Sequence, residues 1–412
     1  MKFAIAVHGT RGDIEPATAV ALELMRRGHE VRMAVPPNLV EFTEAAGVPR
    51  VVDYGPDSQK QLEAEVFREW FKLRNPVTVF HQGRDYITDG WQEMGDTLRE
   101  IADGVDLILT GTTYQEVAAN VAEFYSIPLA ALHYFPARAS SRGLPVQVPL
   151  AVAKPAFAVA EWAHWRLLKP ADDRQRRDLG LPDSEVRATR RIVDNGTLEM
   201  QAYDRVFFPG LEEEWGGKRP LVGSITLQMP TDTDESVTQW MDAGEPPIYF
   251  GFGSMPVEDP ADAIRMITEV SAELGERALI CSGALALAEE PTADHVMVVR
   301  SANHSVVFPR CRAIVHHGGA GTTAASVRSG VPTLVLWVGA DQPVWAGRIK
   351  RLGVGTSRRF SSTTPETLRE DLRIALSPRC VAKAREVAAQ MTSPAQSLDT
   401  TASLLENAAS RR

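Results

Sequence analysis

VHHGGAGTT, residues Val315–Thr323, follows an apolar run that starts at Ala313 and leads into a segment of helical character. Strand, glycine-rich turn and helix in that order make an anion site. Gly318, Gly319 and Gly321 let the backbone come close to a ligand, and the helix beyond opens with unpaired N–H groups at its positive dipole end. A diphosphate fits such a turn. His316 and His317 add donors, and Thr322 and Thr323 can offer hydroxyls. A tight connection lined by core histidines would give a similar string, because short glycine motifs recur by chance. The next stretch favours the ligand.

The helix that begins near Ala320 should stop at Ser329-Gly330, Pro332 follows, and Thr333–Trp337 reads as a buried strand. Gly339-Ala340-Asp341-Gln342-Pro343 then opens another helix. In an open parallel sheet neighbouring carboxyl ends line one crevice, so Asp341 and Gln342 stand beside the diphosphate. A carboxylate accepts from two hydroxyls and an amide both donates and accepts, which suits a sugar.

HHGGAGTT followed after some twenty residues by GADQP resembles the nucleotide-sugar signature of the inverting glycosyltransferases that include antibiotic, sterol and plant secondary-metabolite enzymes. Gly12-Asp13-Ile14-Glu15-Pro16 and Phe250-Gly251-Phe252-Gly253-Ser254 also fall where that family places loops, so the resemblance covers most of the chain. It implies the GT-B fold, with the acceptor mainly on the first domain and a UDP- or dTDP-sugar mainly on the second. It also implies a diphosphate held by Gly253, Ser254, His317, Gly319, Ala320, Gly321 and Thr322, and a sugar held by Asp341 and Gln342. Ser301 and Asn303 would border the nucleobase, without separating uracil from thymine. His317 is preferred to His316 because the family's phosphate-binding histidine stands two residues before the glycine matched by Gly319. No metal and no resident cofactor are implied; the nucleotide sugar is a co-substrate.

Asp13 is the candidate base. Plant members of the family read GHxxP at this loop, with histidine as base, whereas this chain reads GDxxP, as several bacterial and sterol-type members do. An ordinary Asp, with pKa about 4, matches an alcohol proton poorly before reaction, but can accept it late, as the hydroxyl attacks and becomes acidic. Asp13 could instead cap the helix beginning at Ile14–Pro16. The two roles are compatible. His8 and His133, at neighbouring strand ends, could assist or be structural.

The remaining sequence agrees with two doubly wound α/β domains of Rossmann type. Strands are expected at Lys2–Val7, Glu30–Val35, Asp106–Thr110, Pro128–Leu132, Ile248–Phe252, Ala278–Cys281, Val296–Val299, Ala313–Val315 and Thr333–Leu336, alternating with helical patterns such as Ile14–Arg27. Right-handed crossovers then give two parallel sheets. The division expected is 1–219 for the acceptor domain, 220–246 for a linker and 247–394 for the nucleotide-sugar domain. A C-terminal helix, 395–412, is expected to pack back on the first domain. At 412 residues, 44% apolar and 24% charged, the chain has room for two large cores.

A net charge of −9 disfavours nucleic acid as a partner, and no nucleic-acid motif is present. Cys281, Cys311 and Cys380 lack metal spacing and read as reduced thiols; Met1–Val7 enters a strand directly, so a cytoplasmic location is expected. Asp232-Thr233-Asp234 spells a DxD metal motif of a different transferase fold, but sits in the linker and reads as a helix cap. Phe157–Leu168, FAVAEWAHWRLL, near Arg174, Arg176 and Arg177, reads as acceptor-pocket lining or core in preference to a peripheral membrane contact. Aromatic and aliphatic residues in 54–91 and 135–165 suggest a lipophilic small-molecule acceptor.

Two other classes share this architecture. A nicotinamide-dependent dehydrogenase would carry GxGxxG where this chain has GTRGD after its first strand. A noncatalytic sugar-nucleotide-binding protein would keep the same turns, and a sugar-nucleotide epimerase would not need GADQP in this form.

Overall fold

The computed structural model describes residues 1–63, 88–144, 148–227, 229, 234–251, 253, 260–283 and 293–411. One parallel sheet is built from β1 (Lys2–Ala6), β2 (Glu30–Val35), β3 (Val51–Asp53), β4 (Leu107–Thr110), β5 (Leu129–His133) and β6 (Leu198–Gln201), in the order 3-2-1-4-5-6. A second is built from β7 (Ile248–Gly251), β8 (Ala278–Cys281), β9 (Val296–Val299), β10 (Ala313–His316), β11 (Thr333–Trp337) and β12 (Gly355–Arg359), in the order 12-11-10-7-8-9. Reversed, the second order matches the first strand for strand, so each sheet changes winding direction between its first and fourth strands. Crevices therefore open at the carboxyl ends of β1 and β4 and of β7 and β10.

Central strands are apolar on both faces because helices cover both. Phe3, Ile5 and Val7 pack with Ile14, Ala17 and Val20 of the helix Arg11–Arg26, whereas Ala4 and Ala6 face Met94, Leu98 and Val121. All the strands expected from the sequence are present. Three more, β3, β6 and β12, each lie at a sheet edge.

The C-terminal helix Pro394–Ala409 returns to the first half. Ala402 and Leu405 enter its core, Arg27 meets Asp399 at 2.7 Å and Glu406 at 2.9 Å, and His29 Nε2 lies 2.7 Å from Glu406. Trp345 forms a second junction. It is 1% exposed, and Tyr203, Phe207 and Phe208 of the first half surround it with ring centroids 5.4–6.1 Å away. Truncating a tryptophan so packed costs about 3–5 kcal/mol.

The long helix Leu150–Asp178 is covered unevenly. Val152, Val159 and Trp162 are exposed. Trp165 and Leu168 are buried. The helix is anchored farther along, where Asp172 pairs with Arg191 at 2.9 Å and Arg176 with Glu123 at 2.8 Å. Arg176 is thereby withdrawn from the surface. Asp232 and Thr233 lie outside the described residues, and Asp234 begins the helix Asp234–Asp242. Among the described residues, no helix is long and apolar enough to cross a membrane.

Candidate active site

The turn after β1 is organised around Asp13. The helix Arg11–Arg26 starts a turn earlier than Ile14, with Thr10 as its N-cap and Asp13 at the third helical position. The Thr10 N–H donates to Asp13 Oδ2 at 2.8 Å and the Thr10 hydroxyl does so at 3.1 Å. Asp13 thus completes a capping box while remaining half-buried at the strand end. Burial pushes its carboxyl up from 3.8 to about 6, the charge of Asp341 adds to the rise, and the Thr10 hydrogen bonds oppose it. The Tyr134 hydroxyl donates to the Asp13 carbonyl at 2.8 Å, tying this turn to the end of β5.

His8 and His133 are both buried. His8 is 3% exposed, its Nε2 lies 3.0 Å from the Pro56 carbonyl, and the Thr113 hydroxyl donates to its carbonyl. His133 is wholly buried beside Gln201, and burial pushes its imidazole down to about 3.

The second crevice is lined by the turns after β7 and β10, whose register pairs Gly251 with His316. His316 is fully buried; its Nδ1 accepts from the Gly318 N–H at 2.9 Å, and its Nε2 faces the Ser326 hydroxyl at 3.4 Å. It holds the turn closed. The neighbouring His317 lies between the two turns. A Cβ on Gly253, whose φ is +62°, would stand 2.7 Å from His317 Cε1, and one on Gly319 would stand 2.7 Å from Nε2. Nε2 therefore lies at the N-cap of the helix Ala320–Arg328, which no side chain caps. Nδ1 is buried without a hydrogen-bond partner among the described residues. Burial pushes the imidazole down to about 4, the Gly251 backbone offsetting part of that, so the ring is neutral at pH 7. Gly321 is exposed, and Ala320 and Thr322 are half-buried on the first helical turn. The Thr323 hydroxyl is not available to a ligand, because it donates to the Gly319 carbonyl at 2.8 Å.

Asp341 is the N-cap of the helix Gln342–Leu352, and the Trp345 indole N–H donates to its Oδ2 at 2.8 Å. Burial raises its carboxyl, with Trp345 opposing. Ala340 before it has φ +54°, a strained value for a residue with a Cβ. Gln342 is 3% exposed, and its Oε1 accepts from the N–H groups of Val338 at 2.7 Å and Gly339 at 3.2 Å. Its acceptor shapes the loop, leaving only the amide nitrogen to offer a ligand. Asn303 caps the short helix His304–Val307, accepting from Ser305, and Ser301 is half-buried two residues before it. Ser254 lies outside the described residues.

The two crevices face each other. Asp341 raises the Asp13 carboxyl across the gap, and the Arg11 guanidinium helps to lower His304, which is already pushed down to about 4 by burial. Residues 3–82 match the glycosyltransferase family 28 N-terminal domain, and residues 250–406 match the C-terminal domain of the erythromycin biosynthesis protein CIII-like family. The chain is 53% identical to an uncharacterized glycosyltransferase of Mycobacterium tuberculosis over 412 residues, covering 100% of both. It is 30% identical to the vancomycin aglycone glucosyltransferase of Amycolatopsis orientalis, over 94% of this chain and 93% of that one. The chain belongs to the glycosyltransferases.

Its fold is GT-B. The glycotransferase of kitacinnamycin superposes with a TM-score of 0.76 at 19% identity, over 99% of this chain and 98% of that one. In this glycosyltransferase, sequence reading brought Asp13, His317, Gly319 and Asp341 together but missed the groups that orient them. Thr10 was legible, because it stands three residues before Asp13 at a helix start. Trp345 was legible as well, one helical turn after Asp341. Tyr134 was not, since it is 121 residues from the carbonyl it binds.

Gly9 carries a test of the first turn. Its φ is +147°, and a Cβ there would collide with Asp13 Oδ2. Gly9→Ala should push the carboxylate aside and lower turnover about 100-fold, the cost of misplacing a catalytic group by about 1 Å. Initial rates beside donor affinity check this; an unchanged rate means that the Asp13 position is not critical.

Proposed function

We propose that this glycosyltransferase moves a sugar from a UDP- or dTDP-sugar to a hydroxyl of a lipophilic small molecule, with inversion and without a metal. The observation that carries this reading is the apposition of two unlike switch points. One holds a carboxylate lifted to about 6, and the other holds an uncapped helix N-terminus with a neutral histidine. A base and an anion site on opposite walls of one cleft are the parts a displacement at a glycosyl carbon needs. The relative named for vancomycin aglycone supports a natural-product acceptor.

In this reading the diphosphate lies across Gly253, Gly319, Ala320, Gly321 and Thr322. Ser254 completes its cradle, and His317 donates to it. Asp341 and the Gln342 amide hold the sugar hydroxyls, and Ser301 and Asn303 border the base. The acceptor oxygen attacks the anomeric carbon while its proton passes to Asp13. The new C–O bond forms as the bond to the diphosphate oxygen breaks, and the departing electron pair stays on that oxygen. Attack on the face opposite the leaving group inverts the centre. The helix dipole and His317 stabilise the charge that collects on the diphosphate. Donor and acceptor held together supply the rest of the acceleration.

Calorimetric titration tests the donor site with UDP-glucose, dTDP-glucose, UDP, dTDP and NAD, with magnesium and with a chelator. The expected result is dissociation constants on the order of micromolar, about −8 kcal/mol, for one nucleotide and its sugar, unchanged by the chelator. Silence toward all four nucleotides, or binding of NAD alone, overturns the assignment. Magnetic resonance of the product anomer checks inversion.

A further inference from the structure

The helix Gln342–Leu352 starts at its N-cap Asp341 and runs against the first half of the chain. At about 100° per residue, Asp341, Trp345 and Arg348 fall within an arc of about 60°, so one stripe carries all three. Trp345 donates to Asp341 at 2.8 Å and packs among Tyr203, Phe207 and Phe208. Arg348 stands one turn farther on.

Arg348 is 2% exposed, and among the described residues no carboxylate pairs with it. Burial and the charge of Arg351 push its guanidinium down to about 10, so it stays charged at pH 7. Arginine is almost never so buried without a partner. Here the partners are backbone: the guanidinium lies 4.4 Å from the centroid of the Phe208 ring, and Nη2 donates to the carbonyls of Arg142 and, at 3.0 Å, of Leu144. Those carbonyls stand 206 and 204 positions away along the chain, in the loop that leaves β5. The same loop opens at Tyr134, whose hydroxyl donates to the Asp13 carbonyl at 2.8 Å. Farther along, Ser141 fastens it to the first half, its N–H and hydroxyl donating to Glu214 at 2.7 and 2.6 Å. One loop therefore touches the turn of Asp13 at one end and the helix of Asp341 at the other.

We propose that Arg348 is a positioning residue: through the loop 134–144 it sets the Asp13 turn against the helix that starts at Asp341, so that filling the sugar site orders the turn of the base. The inference rests on the reading of Asp341 as a sugar ligand and of Asp13 as the base. A nucleoside diphosphate alone reaches the glycine turn, whereas the sugar engages Asp341 and with it the stripe that ends at Arg348. A guanidinium that only clasped the two halves together would hold the loop equally with and without the sugar.

Hydrogen exchange of the full chain, read on peptides covering 10–16, 134–144 and 318–323, tests this with UDP, UDP-glucose, dTDP and dTDP-glucose. The nucleotide that binds should protect 318–323 with or without its sugar. The sugar should in addition slow exchange in 134–144 and 10–16 about fivefold or more, the lower end of coupling between sites. Arg348→Met keeps an apolar stem and loses the donors, so it should retain the protection of 318–323 and lose the sugar-dependent protection of the other two segments. Arg348→Lys, still charged but without the planar fork, should recover part of it. Tyr134→Phe removes a single hydroxyl and should lose the protection of 10–16 alone; with Arg348→Lys it carries the test if Arg348→Met fails to fold. Protection of 318–323 with no added effect of the sugar, or variants that protect like wild type, would overturn the inference and leave the donor site standing. No protection of 318–323 by any of the four nucleotides would overturn both.

Discussion

Asp13→Asn lowers kcat by about 10²–10⁴-fold, the range of a lost general base, while donor affinity stays near the wild-type value. Asparagine keeps an oxygen for the Thr10 N–H, so the capping contact survives and only the proton acceptor is lost. Wild-type turnover should rise with pH and level off above about 6, where the carboxylate is ionised. The same shift sets the sign of a stability change. The folded-state value of about 6 lies above the ordinary 3.8, so between them the folded chain binds more protons than the unfolded one. Stability therefore falls as pH rises from about 4 to about 6, by up to about 3 kcal/mol for a shift of two units. Asp13→Asn removes that penalty, so at pH 7 the variant should turn over far more slowly yet melt at a higher temperature, an advantage that shrinks as pH falls from about 6 to about 4 and is absent below that. If Asp13 only caps its helix, the variant should instead keep both turnover and stability near the wild-type values, because asparagine preserves the Thr10 contact. Melting curves and rates on one sample decide between the two.

His317→Ala lowers kcat/KM by about 10²–10³-fold, the effect of removing one donor from a charge-stabilising site. His317→Gln should recover part of that loss, because an amide N–H can replace a neutral imidazole N–H. Replacement should cost little stability. The buried Nδ1 has no hydrogen-bond partner among the described residues, and such an unpaired group itself costs about 1–3 kcal/mol. With an imidazole value of about 4, His317 adds no inflection to the rate between pH 5 and 8, so the acid limb there belongs to Asp13. Near-wild-type kinetics in His317→Ala would end the phosphate assignment.

Both residues are held at odds with local stability. Asp13 carries an ionisable group into a half-buried strand end, and His317 buries an unpaired nitrogen between two glycine turns. Such conflicts between local energetics and fold are where function is expected.

Much of this was readable along the chain. Central strands announce themselves as short apolar runs, because helices bury both faces. Three of the four edge strands do not, the exception being β9, VMVV. β12 reads GTSRR and β6 reads LEMQ, and each is a strand because its backbone pairs with a neighbour already in place, β11 or β5. Within Phe157–Leu168, read as acceptor-pocket lining or core, the fold buries Trp165 and Leu168 and leaves Trp162 exposed, a division set by which neighbours pack on the helix and not by the segment itself.

The sequence by itself determined the two alternating series of strands and helices, the glycine turn with its histidines, and the aspartates at positions 13 and 341. Those depend on periodicity, on φ values open to glycine and on residue chemistry, all of which are local. The resemblance favoured His317 over His316, but only the tertiary structure decided the physical reason. His316 and His317 are adjacent and chemically alike, yet His316 ends β10 with its ring in the core against Ser326, and His317, just past the strand, turns into the space between Gly253 and Gly319. It also decided that Asp13 holds its proton up to about pH 6, because that value comes from burial and from a carboxylate 328 positions away in the chain, brought near by the packing of one sheet against the other.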